Sequence, residues 1–126
     1  MTSFKRSLVA AVGAAPLLLL SACGGGGSGG SSSAPSDADL VVVGKEYKYD
    51  KAEYTVKAGQ IKIAYSNKGA LSHDLNIEGI PAAKIVLGPG QSKTKTVSVP
   101  AGTYKLYCDL SGHEALGMKS VLVVQP

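Results

Sequence analysis

Tyr107-Cys108-Asp109-Leu110-Ser111-Gly112-His113-Glu114-Ala115-Leu116-Gly117-Met118 sets a thiol, an imidazole and a thioether at two equal steps of five residues. A step of five fits neither the period of two of a strand nor the three-to-four spacing of one helix face. The three side chains therefore converge only if the segment loops around something. Thiolate and thioether are soft ligands, imidazole suits copper, and a trigonal site of two His and one Cys with a long axial Met is a copper electron-transfer arrangement. The loop supplies one His, so the second has to come from elsewhere.

The inventory is matched to one such site. The chain has 2 His, 2 Cys and 2 Met, and Met1 is the initiator. If Cys23 has another use, then Cys108, His73, His113 and Met118 are the whole stock of Cys, His and Met in the mature chain. Taken singly, His73 reads as a satisfied core histidine, Met118 as a gap-filler and Cys108 as an inert buried thiol. Taken together they point to one copper ion per chain, with zinc or an empty site as the alternatives.

Upstream, Lys5 and Arg6 precede an apolar run from Leu8 to Leu20. Its 13 residues match the length of a signal-peptide core rather than of a bilayer span. Leu20-Ser21-Ala22-Cys23 resembles the bacterial lipobox, which implies a leader over 1–22, export, and acylation of Cys23 as the mature N-terminus. Two acyl chains suffice for stable anchoring on the extracytoplasmic side of a bacterial membrane. Residues 23–39 are then the lipidated Cys and a tether of Gly, Ser, Ala, Pro and Asp that cannot bury apolar surface. About 15 such residues span roughly 20 Å on average and about 50 Å when fully extended.

From Leu40 to Pro126 the pattern becomes short alternating apolar runs broken by Gly and Pro, which predicts one all-β domain, an antiparallel sandwich or barrel of about eight strands. The strands are expected over 40–49, 54–56, 60–66, 73–77, 84–87, 94–99, 103–108 and 119–124, with a turn near Pro81 to Lys84. Ala58-Gly59, Asn67-Lys68-Gly69, Gly88-Pro89-Gly90 and Pro100-Ala101-Gly102 are the turn sequences. Period two places His73 with Leu75 and Ile77 on the core side and Asp74, Asn76 and Glu78 on the other. Cys108 falls in phase with Tyr104 and Leu106. Both donors thus leave buried strand faces at one end of the domain.

With those residues in view, 40–126 resembles the cupredoxins, the small blue-copper relatives of plastocyanin and azurin. The resemblance is carried by Asn67-Lys68-Gly69 with Ser72-His73-Asp74, by Gly102-Thr103-Tyr104 leading to Tyr107-Cys108, and by Gly112-His113 with Gly117-Met118 and a final strand. It implies a Greek-key β-sandwich, copper held by His73, Cys108 and His113 with Met118 axial, and one-electron transfer. It also implies that Asn67, Asp74 and Asp109 stand next to the ligands, and that the exposed edge of His113, among Leu110, Leu116 and Leu71, is the electron port. Two positions depart from the family. Asp74 stands where many relatives carry Asn; when ionised it accepts hydrogen bonds but cannot donate them, and a carboxylate near copper favours Cu(II). Ser111 stands where relatives with this loop length often carry Pro.

Other function classes fit less well. Setting Lys5 and Arg6 aside from the 13 basic residues leaves 11 against 9 acidic, a net of +2, and the lysines are scattered singly, so no nucleic-acid footprint follows. A copper enzyme needs further histidines, and a two-copper site needs a second loop cysteine. A lone thiol outside the cytoplasm is better explained as metal-bound than as unpaired. The expectation is a monomeric electron carrier, not an enzyme, exchanging electrons with extracytoplasmic redox proteins; a copper-carrying or copper-buffering lipoprotein is the alternative.

Overall fold

Alternation along Ile61, Ile63 and Tyr65 turns three large side chains inward from one strand, and the same period recurs in Leu40/Val42, Val97/Val99 and Leu122/Val124. Each such burial contributes about 1.5–3 kcal/mol, so these strands build a core between two sheets. The computed structural model describes residues 37–126; the expected leader, Cys23 and the expected tether up to residue 36 lie outside the described residues.

The strands are β1 (Leu40–Lys45), β2 (Lys48–Tyr49), β3 (Glu53–Lys57), β4 (Gly59–Asn67), β5 (His73–Ile77), β6 (Ile80–Leu87), β7 (Ser92–Val99), β8 (Gly102–Tyr107) and β9 (Lys119–Gln125). One sheet has the order β2-β1-β4-β7 and the other β3-β9-β8-β5-β6. Because β7 lies in the opposite sheet, β8 returns beside β5, the crossing expected of a Greek key. Among the described residues there is no helix.

Four expectations are corrected. The sandwich is mixed rather than antiparallel: β1 pairs parallel with β4, and β3 parallel with β9. The single strand over 40–49 is a hairpin in which Gly44 faces Tyr49 and Lys45 faces Lys48, with Glu46-Tyr47 as a two-residue turn. That extra strand makes nine instead of eight. The segment from Pro81 to Lys84 is strand and not turn, since Ile77 pairs with Ile80 around Glu78-Gly79; Pro81 is tolerated because β6 is an edge strand. Finally, Asp74 and Asn76 are buried rather than solvated.

Strand direction sets where the site forms. β1 runs from Leu40 toward Glu46, and β9 runs away from Met118, so both ends of the described chain leave the sandwich at the pole opposite those residues. At the Met118 pole, the β5–β8 ladder stops at Asn76 facing Tyr107. Beyond that pair the strands part, and His73 and Cys108 lie in the gap.

Candidate metal centre

His73 opens β5, Cys108 follows the last residue of β8, His113 lies in the turns between, and Met118 precedes β9. The loop is folded by its own backbone. His113 N–H donates to Leu110 O (3.0 Å), Met118 N–H to His113 O (3.1 Å) and Cys108 N–H to Met118 O (3.1 Å). Gly112 takes a φ of 79°, the left-handed region that glycine enters without penalty. The steps of five are thus closed into one knot.

The result is a cluster in which donor atoms of His73, Cys108 and His113 all lie within 4.8 Å of one another. His73 Nδ1 is 3.2 Å from His113 Nδ1, which is 3.5 Å from Cys108 Sγ. His73, Cys108 and Met118 are fully buried, and His113 is half-buried. Met118 is joined to the cluster through its backbone bonds to Cys108 and His113. Burial pushes the Cys108 thiol up to about 11, so a thiolate here calls for a cation in the cluster. Two inward imidazole nitrogens and a sulfur, with no carboxylate oxygen among them, are donors that fit copper.

The surroundings divide into two supports. On one side, Asp74 N–H donates to Cys108 Sγ (3.4 Å). Asp74 Oδ1 accepts from Asp109 N–H (2.8 Å) and from Asn76 Nδ2 (3.0 Å). The carboxylate therefore ties the first-histidine strand to the cysteine loop by accepting, in place of the ladder that has ended. Lys84 Nζ lies 3.5 Å from Asp74 Oδ2 and 2.7 Å from Asp109 Oδ2. Burial raises the Asp74 carboxyl above the usual range, whereas hydrogen bonding with Asp74 and then with Lys84 holds Asp109 below it. Asn67, fully buried, donates from Nδ2 to Leu71 O (2.8 Å), Gly88 O (3.1 Å) and Leu87 O (3.2 Å) and accepts from Gly69 N–H (2.9 Å). It fixes the segment leading to His73.

The other support was not visible in the sequence. Glu46 Oε1 accepts from the backbone N–H groups of Ala70 and Leu71 and lies 3.3 Å from His73 Nε2. The Leu71 N–H, ahead of an opposing burial effect, lowers its carboxyl to about 2. Tyr47 sets its ring edge-on to His113 (5.0 Å between centroids) and to His73 (6.3 Å). A lone Glu-Tyr flanked by lysines in a strand-like run carries no signal for such a role. Around the half-buried His113, Leu116 (62 % exposed) and Leu71 (45 % exposed) stand in solvent, and Leu110 packs partly on the core.

A sandwich with paired imidazoles and a buried cysteine at one pole defines a metal-binding β-sandwich, and the comparisons with known proteins give its family. The cupredoxin-like domain family matches residues 11–124; the chain belongs to that family. Among solved structures, an auracyanin from the photosynthetic bacterium Roseiflexus castenholzii, reduced with sodium dithionite, is 29 % identical with a TM-score of 0.63, over 69 % of this chain and 96 % of that one. Auracyanin A, a "blue" copper protein from the green thermophilic photosynthetic bacterium Chloroflexus aurantiacus, is 25 % identical with a TM-score of 0.58, over 68 % and 97 %. Auracyanin B shares the fold at 18 % identity and a TM-score of 0.59, over 69 % and 88 %. No curated protein sequence matches the chain.

Proposed function

We propose that the protein is a one-electron carrier whose single copper ion is held by His73, Cys108 and His113, with Met118 as a weak fourth ligand. The observation that carries this reading is the convergence of the three N and S donors within 4.8 Å in a chain of this family. Copper bound there would supply reversible Cu(II)/Cu(I) chemistry. The protein's part is to hold the donors: Asn67 and Asp74 pin the segments bearing His73 and Cys108, and the buried strands keep water from the sulfur. A site so fixed cannot relax toward one oxidation state, which suits electron exchange. His113, with Leu71 and Leu116 beside it, is the edge through which extracytoplasmic redox proteins would meet the centre.

The test is the visible spectrum of the copper-loaded protein. An intense thiolate-to-Cu(II) band is expected, abolished in Cys108→Ala and kept in Met118→Leu with a raised reduction potential. A colourless Met118→Leu protein would remove Met118 from its assigned role. Carrier and delivery readings separate on anaerobic reduction with a Cu(I) chelator in modest excess: retention of re-oxidisable blue colour supports electron transfer, and loss of copper within seconds only when reduced supports delivery.

Export and anchoring belong to the same proposal. The apolar run ending in Leu20-Ser21-Ala22-Cys23 supports acylation of Cys23, outside the described residues. Mass spectrometry of the membrane fraction should find a mature chain beginning at a diacylated Cys23, and a chain starting elsewhere would defeat the anchor.

A further inference from the structure

Glu46 approaches the centre from behind His73. Its side chain is 27 % exposed while His73 is fully buried, so one carboxylate bridges solvent and the ligand ring. Two backbone N–H groups, of Ala70 and Leu71, donate to the same oxygen that lies 3.3 Å from His73 Nε2. The protein makes room for this: a Cβ on Gly69 would collide with the Glu46 carboxylate. The other acidic groups near the donors each have a lysine beside them: Asp74 and Asp109 share Lys84, and Glu114 pairs with Lys105. Among the described residues Glu46 meets no lysine or arginine, and no carboxylate pairs with His113.

We propose that Glu46 is a positioning residue for the copper centre: it fixes the His73 tautomer whose Nδ1 lone pair faces His113 and Cys108, and its charge biases the centre toward the oxidised state. A neutral imidazole carries one N–H. With Nε2–H donated to Glu46, Nδ1 is left bare on the side of the other donors, and a flipped ring would forfeit the carboxylate. A metal-ligating histidine backed by a carboxylate is also a stronger donor. A carboxylate without a lysine or arginine partner, set against the far side of the His73 ring, would favour the higher metal charge. Partial exposure screens it, so the bias is roughly tenfold in the relative binding of the two oxidation states, about 59 mV for a one-electron couple.

This rests on the copper reading, and the experiment keeps the two apart by using the metal-free protein as well. Two variants separate charge from position: Glu46→Gln keeps an acceptor oxygen but removes the charge, and Gly69→Ala keeps the charge but evicts the carboxylate. In the metal-free protein, ring-nitrogen NMR should show His73 as the Nε2–H tautomer in wild type and in Glu46→Gln, and a mixture in Gly69→Ala. In the copper-loaded proteins the visible band should persist and the potential should rise by about 59 mV in both variants. A wild-type His73 with its proton on Nδ1, or a single tautomer retained in Gly69→Ala, overturns the positioning role. An unchanged potential in Glu46→Gln overturns the electrostatic one. A wild-type protein that binds copper without the band fails the copper reading alone, and the tautomer result still decides the role of Glu46.

Discussion

Asn67 supports the metal centre without contacting a donor atom. Its amide satisfies three backbone carbonyls and one backbone N–H in a fully buried position, and truncation leaves those groups without partners. Asn67→Ala should cost about 2–3 kcal/mol in urea unfolding of the metal-free protein, and Asn67→Asp a similar amount because the donors go. A second residue-scale conflict sits under Met118. A Cβ on Gly44 would lie 2.5 Å from the Tyr65 hydroxyl and 3.1 Å from Met118 Cε, and that hydroxyl is buried without a partner. Gly44→Ala should therefore cost about 1–3 kcal/mol, while Tyr65→Phe should be neutral or stabilising. Their combination should recover part of the Gly44→Ala loss in a double-mutant cycle; strict additivity would mean that the hydroxyl is not the obstacle. Residues of this kind divide by how much of their role is chemical identity. Cys108, His73 and His113, whose donor atoms the fold brings within 4.8 Å of one another, stood out together with Met118 because such side chains are scarce in this sequence and three of the four fall at a regular spacing. Glu46 did not, because a glutamate among lysines is the normal surface of a strand and its partners are 24 and more residues away.

At the scale of elements, alternation and turn residues located most strands but missed β2 and the start of β6, and the misjudged features depend on contacts from elsewhere in the fold. The β1–β2 turn lacks Gly, Asn, Asp or Pro; it bends because Glu46 is bound by Ala70 and Leu71 and Tyr47 by the two imidazoles, contacts that only the tertiary fold supplies. Asp74 and Asn76 looked solvent-facing because period two assigns them the outer face, and what covers that face is Lys84 and Asp109 from other elements. Parallel pairing of β1 with β4 and of β3 with β9 has no local signature, since alternation reads the same in both senses. The ligand loop, by contrast, obeys a local rule at Gly112. A Cβ there meets nothing within 4 Å at a φ of 79°, so Gly112→Ala should cost about 1–2 kcal/mol from backbone strain alone, and Gly112→Asn less. Thermal unfolding of the metal-free proteins gives the order; equal costs would place the penalty elsewhere.

The whole molecule holds its shape by its own core. With Leu, Ile, Val and Tyr side chains buried between two sheets, the metal-free protein should remain folded, unlike small domains whose folding energy is the metal's. Alkaline titration provides a check on that core. Burial raises the phenols of Tyr49, Tyr54 and Tyr65 above their ordinary 10.0, so folding favours their protonated forms. Their contribution is complete below about pH 10 and is lost as pH rises further. Their phenolate absorbance should appear only together with loss of the strand circular dichroism; ionisation of all six tyrosines in a folded chain would contradict that burial.

The direction of β1 and β9 has a further effect. Six residues of β1 rising about 3.3 Å each carry the chain roughly 20 Å from Leu40 to the pole where His113 surfaces. Whatever grips the upstream segment therefore grips the blunt end of the sandwich. With Cys23 as the proposed anchor and His113 as the proposed electron port, attachment and electron exchange would fall on opposite poles, like a lamp at the free end of a stalk, and a redox partner would reach His113 without dislodging the mooring.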